Sequence, residues 1–314
     1  MKRELLGIHH LTAVTSNAAK NLTFYTQTLG MRLVKKTVNQ DDVSAYHLFY
    51  GDGIASPGSD ITFFEFDLPP EKRGTSSVIR TMFRVAGEPT LKWWKQHFES
   101  TGVRHSDLKK RDERLTLDFE DHDGQRLSLV DDGGDGQAFP WEKSPIPAEH
   151  QIRGLGPIVI SVPRLEATKE VVSNLLEMQQ VRNYDFHGDT VHVYQMGSGG
   201  ASAELHIVEQ SELSRARLGA GGVHHVAFRS ADSDYSFWAD HLNSNGVHNS
   251  GKIDRFYFKS LYFREPGGVL FELATDGPGF DADEPLDLLG EKLALPPFLE
   301  DQREEIENGL SPID

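Results

Sequence analysis

The sequence has no cysteine among its 314 residues. Without cysteine there is no disulfide bond, no thiolate ligand for a metal and no thiol nucleophile. Any metal ion must therefore be held by histidine, carboxylate or backbone oxygen. Because disulfides are rare inside cells, the composition leads us to expect a cytoplasmic protein.

Basic residues are in deficit, with 32 Lys and Arg against 48 Asp and Glu and a formal net charge of -16. Nucleic acids and anionic membrane surfaces both attract clustered Lys and Arg, so this charge argues against either as a partner. Long apolar runs are also missing: no stretch approaches 18 apolar residues, and the start, MKRELLGIHH, lacks the apolar core of a secretory signal.

What the chain does contain is one pattern that occurs four times. In its first copy LTAVT predicts a strand, NAAKNLTFYTQTLG predicts a helix that begins at Asn17 and ends at Gly30, and three β-rich runs follow. The later helices are TLKWWKQHFESTG, LEATKEVVSNLLEM and DSDYSFWADHLNSNG. Glycine ends the second and fourth helices at Gly102 and Gly246, whereas the third helix lacks it. We therefore predict an α+β fold of four β-α-β-β-β modules.

The modules predict two cupped, barrel-like domains with mixed sheets. Residues 1–137 hold the first two modules, and residues 154–275 hold the last two. The Pro-containing stretch 138–153 is predicted to link them. Residues 276–314 form an acidic tail, in which LEDQREEIENGL predicts a short helix packed on the body.

Two adjacent histidines open the first strand of the first and fourth modules, in GIHHLTAV (7–14) and GVHHVAF (222–228). The second and third modules carry Thr81 and Pro157 at that position. A structural repeat alone does not explain histidine pairs in the outer modules only. This selective placement indicates a functional site shared by the two ends of the chain.

His10, His225 and Glu272 form the two-histidine, one-carboxylate set that non-haem Fe(II) uses with three positions left open. Alternate strand residues share a face, so His10 lies with the small Thr12 and His225 with the small Ala227, which leaves room for a ligand. We therefore assign the second histidine of each pair to the metal. Glu272 lies in the apolar run FELAT, where a carboxylate is costly unless it is paired or coordinated.

Other histidines and one further glutamate are weighed beside this donor set. His9 and His224 are predicted neighbours of the site, as hydrogen-bond or acid–base groups. Glu204 of the third module competes as a ligand, but no histidine of its own module is expected to join it, and a structural role is favoured. The remaining histidines lack such pairing and are interpreted as surface or core residues: His47, His97, His105, His122, His150, His187, His192, His206, His241 and His248.

A segment rich in tyrosine precedes Glu272. It supplies Arg255, Tyr257 and Tyr262, whose guanidinium and phenol groups suit an oxyanion or bound dioxygen near an electrophilic metal. The alternative is that these side chains only pack in a β-sheet, and composition alone favours that alternative.

With these motifs in place, the chain resembles the vicinal oxygen chelate superfamily. More closely it is similar to the ring-cleaving dioxygenases of hydroquinones, the group that includes 2,6-dichlorohydroquinone 1,2-dioxygenase and the methylhydroquinone-linked dioxygenases. The similarity runs through GIHHLTAV, FYTQTLGMRLVKKTVN, GGVHHVAF, DRFYFKSLYFREPGGVLFELATD and LPPFLEDQREEIE. Tyr262 ten residues before Glu272, together with the paired histidines, is specific to this group.

The resemblance implies an Fe(II)-dependent enzyme, with Mn(II) or Zn(II) as alternative metals. The metal is held by His10, His225 and Glu272. Catalytic roles in the pocket fall to His9, His224, Arg255 and Tyr262, and substrate binding to Tyr257 and Thr12. The expected partners are a small aromatic substrate and O2, with a homodimer as the expected assembly. Because the hydroxyls of a hydroquinone are para, only one binds the metal easily, and the other needs partners at a distance.

Two alternatives stay open. The same superfamily contains glyoxalase-type isomerases, lyases and thiol transferases that use Zn, Ni or Mn, generally with a fourth protein ligand, which the repeats do not supply unless Glu204 contributes. It also contains resistance proteins that only sequester a drug, a function that would leave the His-His-Glu set without a purpose.

Overall fold

The structure is a computed structural model that describes residues 3–313. It confirms four β-α-β-β-β modules in an α+β fold. The elements are β1 (Ile8–Thr15), α1 (Ala18–Thr23), β2 (Arg32–Asn39), β3 (Asp42–Gly51) and β4 (Asp60–Glu65); β5 (Ser77–Val85), α2 (Gly87–Thr101), β6 (Lys109–Arg111), β7 (Arg114–Glu120) and β8 (Arg126–Asp131); β9 (Leu155–Val162), α3 (Leu165–Glu170), β10 (Gln179–Phe186), β11 (Asp189–Gln195) and β12 (Glu204–Glu209); β13 (Val223–Ser230), α4 (Tyr235–Ser244), β14 (Ile253–Asp254), β15 (Lys259–Arg264) and β16 (Leu270–Thr275); and α5 (Arg303–Gly309) in the tail.

The strands form two eight-stranded sheets, each built from two modules. One sheet has the order β14-β15-β16-β13-β1-β4-β3-β2 and joins the first module to the fourth. We call it the outer-module sheet. The other has the order β10-β11-β12-β9-β5-β8-β7-β6 and joins the second module to the third. We call it the inner-module sheet. In each, the two modules meet through one antiparallel pair, β1 with β13 and β5 with β9.

These sheets cut across the predicted division of the chain into domains at 1–137 and 154–275. Each sheet takes one module from each of those sequence units, so neither unit forms a sheet by itself. The physical reason is that the first strand of a module lies at an edge of that module, where its backbone groups need a partner strand. Each first strand pairs with a first strand from the opposite half of the chain. This pairing brings the two histidine pairs onto neighbouring strands.

Apolar side chains from both sheets and from the helices pack into one large buried cluster that includes Leu11, Trp94, Leu205 and Trp238. The stretch 138–153 lies against this body, where Ser144 Oγ donates to the carbonyl of Gly30 at 2.6 Å. Within residues 3–313, no helix combines the length and apolar character needed to cross a membrane.

The four module helices end in the same left-handed backbone conformation. Gly30, Gly102 and Gly246 have φ angles of 69°, 73° and 69°. The third helix, which lacks the glycine, places Glu177 there with a φ of 56°. A side chain with a Cβ pays a steric penalty in this region. The helix stop is therefore set by the fold, and the third module keeps it without the residue that favours it.

Replacing Glu177 by glycine should remove this penalty. We expect Glu177→Gly to raise the free energy of unfolding by about 1 kcal/mol, measured by urea denaturation. Gly102→Ala is the matched control, because an added Cβ there meets nothing within 4 Å and only the φ of 73° opposes it. That variant should lose about the same amount. A destabilised Glu177→Gly beside an unchanged Gly102→Ala would refute the interpretation.

Candidate active site

The antiparallel pair β1–β13 and the neighbouring strand β16 bring three predicted ligands together. His10 pairs with Ala227, which pairs with Glu272, so these residues form one row across the outer-module sheet. Because Ala227 is small, the side chains on either side of it meet. His225 pairs with Thr12 in the next row, and its imidazole turns toward the same point.

The three donor atoms are close together and buried. Nε2 of His10 lies 3.2 Å from Nε2 of His225 and 3.2 Å from Oε2 of Glu272. Nε2 of His225 lies 2.9 Å from the same carboxylate oxygen. Two ligands about 2.1 Å from one ion at right angles are themselves about 3.0 Å apart, so this spacing fits one face of an octahedron. The donor set and its spacing therefore fit a divalent metal of the non-haem iron type.

The electrostatics also fit a cation. Burial opposes ionisation of Glu272, but the adjacent His10 and His225 imidazoles outweigh it and hold its pKa well below the usual value. Oε2 touches both imidazole edges, and neither carboxylate oxygen has another polar partner among the described residues. A buried carboxylate that lacks hydrogen-bond donors is stabilised by positive charge.

The first histidine of each pair lies behind the second. Nδ1 of His9 is 2.8 Å from Nδ1 of His10, and Nδ1 of His224 is 2.8 Å from Nδ1 of His225. For His10 and His225 to offer a lone pair at Nε2, each carries its proton on Nδ1 and donates it to the neighbouring ring. Burial, assisted by the adjacent histidine, lowers the pKa of His9 and of His224 to about 3, which keeps both rings neutral acceptors.

Beside this point a cavity opens between the first and fourth modules. Its walls mix aromatic rings with polar side chains: His10, Thr12, Thr37, Asn39, Gln40, His47, Phe49, Phe64, His225, Arg255, Tyr257, Phe258 and Tyr262. His9 and His224 are not among them. These two predicted pocket residues therefore contact the candidate metal-ligating histidines and do not line the cavity.

Tyr262 and Arg255 line the cavity as expected. Tyr262 is the cross-strand partner of Glu272, and its ring centroid is 5.5 Å from that of His225. Burial, with the nearby Glu272 carboxylate, raises the pKa of Tyr262, so the phenol stays protonated and can donate a hydrogen bond. The Arg255 guanidinium lies 5.5 Å from the Tyr262 ring and also binds Asp41 at 2.8 Å.

The two predicted substrate-binding residues differ in what they offer. Thr12 Oγ1 reaches the pocket floor, where it lies 2.8 Å from Thr62 Oγ1. Tyr257 presents its ring to the cavity, but its hydroxyl donates to Asp283 of the tail at 2.8 Å. The hydroxyl of Tyr257 is therefore occupied by the protein, and only the ring is available to a substrate.

One side of the pocket is formed by residues that were not predicted from the sequence. His47 was classed as a surface or core residue, whereas the structure places it in the cavity wall with Thr37, Asn39 and Gln40 of the β2–β3 hairpin. A signal was available: His47 alternates with Phe49 on a strand of the module that carries His10, and alternate strand residues share a face. The first and last strands of each module do not carry this signal, because His47 lies on β3, a middle strand of its module.

Glu204 lies in the inner-module sheet and has a different environment. Its carboxylate binds Arg114 at 2.6 Å and Arg182 at 2.9 Å, and Nε2 of His206 lies 3.0 Å away. The register also corrects Thr81 as the counterpart of the histidine position in the second module. His206, paired with Val159, takes the place of Glu272, while Arg80 takes that of His10. The guanidinium groups of Arg114 and Arg182 already neutralise Glu204, which argues against a metal ion at this carboxylate.

Substitution by glutamine should affect metal affinity at Glu272 but protein stability at Glu204. Glu272→Gln removes the anionic ligand, so we expect at least a tenfold loss of metal affinity with the stability of the metal-free protein within about 1 kcal/mol of the wild type. Glu204→Gln removes the carboxylate that Arg114 and Arg182 share, although Arg182 keeps its ion pair with Asp112. It should cost about 2 kcal/mol, a value reduced because both guanidinium groups are partly exposed. Its metal content should not change.

The measurements are metal analysis after desalting and urea denaturation of the metal-free proteins. Loss of metal from Glu204→Gln together with retention in Glu272→Gln would contradict the assignment.

Comparisons with known proteins agree with this geometry. A sequence model described as "Glyoxalase/Bleomycin resistance protein/Dioxygenase superfamily" matches residues 7–129 and 154–273. A Bacillus subtilis protein provisionally named ring-cleaving dioxygenase MhqA is 48% identical over 311 residues, covering 98% of both chains. The chlorohydroquinone/hydroquinone 1,2-dioxygenase of Sphingobium indicum is 32% identical over 311 residues, covering 96% of this chain and 94% of its own.

A crystal structure is similar over the full length. It is that of a B. subtilis protein provisionally described as a dioxygenase, with a TM-score of 0.92, 32% identity, and coverage of 100% of this chain and 99% of that chain. The comparison supports the arrangement of all four modules.

Proposed function

The chain belongs to the glyoxalase/bleomycin resistance protein/dioxygenase superfamily, and we propose that it is an Fe(II)-dependent ring-cleaving dioxygenase. It opens the ring of a hydroquinone or a related dihydroxylated aromatic beside a hydroxylated carbon, with O2 as the second substrate. The observation that carries the proposal is the buried His10–His225–Glu272 set at one end of an aromatic-lined cavity. Relatives named for ring cleavage, one of them for hydroquinone itself, support the substrate class.

His10, His225 and Glu272 would hold the iron, leaving three positions for other ligands. Iron bound there would pass electrons from the aromatic substrate to dioxygen, so that the ring itself is the reductant. The protein arranges the reactants around it. His9 and His224 fix the tautomer and orientation of the two ligating imidazoles, through Nδ1 contacts of 2.8 Å each.

The cavity walls would hold a flat substrate. Phe49, Phe64 and Phe258 present ring surfaces that exclude water and pack against an aromatic ring. Arg255 brings positive charge to the pocket, which favours a substrate hydroxyl in its ionised form. Tyr262, kept protonated by burial, donates a hydrogen bond beside His225, where charge develops during the reaction.

The pocket favours this reaction over a glyoxalase-type isomerisation. Among the described residues that line the cavity, none carries a carboxylate that could serve as a fourth ligand or as a base for carbon acid chemistry. Glu204, the one carboxylate considered for that role, lies in the inner-module sheet. Its carboxylate is already occupied by hydrogen bonds from Arg114 and Arg182.

The proposal is tested by oxygen uptake. Protein loaded anaerobically with Fe(II) should consume one O2 for each methylhydroquinone or chlorohydroquinone opened, measured with an oxygen electrode and product analysis. His225→Ala should lose both bound iron and activity, because one of three ligands is gone. His248→Ala, at an exposed ring, should keep both. Absence of O2 uptake with every hydroquinone and catechol, combined with Zn- or Ni-supported thiol–methylglyoxal isomerisation, would favour the alternative function.

A further inference from the structure

The wall of the cavity formed by β2 and β3 carries polar groups that have no part in the proposed reaction. His47 on β3 lies between two aromatic rings, with centroid distances of 4.0 Å to Phe49 and 4.3 Å to Phe64. Thr37 on β2 is its direct cross-strand partner. Both side chains line the cavity. The imidazole is thus fixed in place beside a threonine hydroxyl.

One side of the His47 ring is anchored to the sheet. Its Nε2 lies 3.0 Å from Thr62 Oγ1, which lies 2.8 Å from Thr12 Oγ1. A hydroxyl has a single proton, so Thr62 donates to only one of these neighbours. When Thr62 donates to Thr12, His47 donates from Nε2 and its Nδ1 becomes a hydrogen-bond acceptor. No hydrogen bond joins Nδ1 to another described residue.

The second group is a hydroxyl without a partner. Thr37 is 2% exposed, and its Oγ1 makes no hydrogen bond among the described residues. Burying a hydroxyl in this way is costly, so a partner that arrives with a ligand would be favourable. Thr37 and His47 together offer one donor and one acceptor, which is what a single phenolic hydroxyl requires.

The position of this pair in the sheet decides which hydroxyl it would meet. His10 lies on β1, and the strand order β1-β4-β3 places His47 two strands away, about 10 Å between backbones. A ring held at His10, His225 and Glu272 through one hydroxyl directs a para substituent away from them, toward that wall. An ortho hydroxyl would stay near the metal ligands instead.

We propose that Thr37 and His47 form the subsite for the second, para hydroxyl of the substrate, with Thr37 donating to that hydroxyl and His47 Nδ1 accepting from it. This subsite gives the pocket its preference for para over ortho dihydroxylated rings. The inference rests on the proposed function, because it takes the first hydroxyl to lie at the His10–His225–Glu272 set.

Binding, rather than turnover, tests the subsite. Calorimetry on the Zn(II)-loaded protein, which is redox-inert, would compare hydroquinone, phenol and catechol. The wild type should bind hydroquinone at least 10-fold more tightly than phenol. Thr37→Val and His47→Phe, which keep the size of each side chain, should each reduce that preference about 10-fold while the affinity for phenol stays the same. Affinity for catechol should not change in either variant.

Thr81→Val is the matched control, since Thr81 Oγ1 is likewise buried without a partner but lies in the inner-module sheet. It should leave all three affinities unchanged. Zinc content and thermal melting show whether His47→Phe is folded, and Thr37→Val provides a second variant if it is not.

The outcomes separate this inference from the proposed function. A wild type without preference for hydroquinone over phenol, or variants that keep the full preference, would overturn the subsite even if O2 is consumed. Loss of the preference in both variants, in a protein whose iron form consumes no O2, would support the subsite and reject the dioxygenase.

Discussion

The site depends on one interaction, the antiparallel pairing of β1 with β13. These strands are more than two hundred residues apart in sequence, yet their register aligns His10 with Ala227 and Thr12 with His225. A slip of one residue would turn the ligating imidazoles to the opposite face of the sheet. The pairing also shifts register between Ile8 and His10, an irregularity of the kind that re-aims side chains beside active sites. The adjacent His9 ring then reaches the back of His10.

The inner-module sheet shows that the fold alone does not create this site. It repeats the same strand order, but Arg80 stands where His10 stands, and His206 where Glu272 stands. Ion pairs fill its interior, where Asp118 receives both Arg111 and Lys109 at 2.7 Å. One architecture thus holds a metal-type donor set in one sheet and a neutralised charge network in the other. The chemistry is determined by a few side chains, not by the topology.

Much of the local structure could be predicted from the sequence, because strand alternation, helix caps and glycine stops act over a few residues. The module pattern and the donor set His10, His225 and Glu272 follow from such short-range signals. The pairing of each module with one from the other half of the chain cannot be predicted in this way, because the hydrophobic pattern of a strand is the same whichever module it pairs with. For His47, strand alternation places the side chain on the same face as Phe49, but only the sheet order β1-β4-β3-β2 shows that this face lines the cavity with His10.

The tail shows a similar limit, and it ties charge to the pocket. Its sequence predicts a short helix packed on the body but does not reveal that Asp283 and Glu284 bind the ammonium of Lys35, a side chain on β2 with no exposed surface. Without these carboxylates Lys35 would be a buried, unpaired cation, which is strongly destabilising. Asp283 also accepts the Tyr257 hydroxyl, and the Lys35 ammonium lies 4.7 Å from the Tyr257 ring. The tail therefore supplies the counter-ions that allow β2 to carry a buried cation, and through Tyr257 it fixes one wall of the cavity beside the proposed iron.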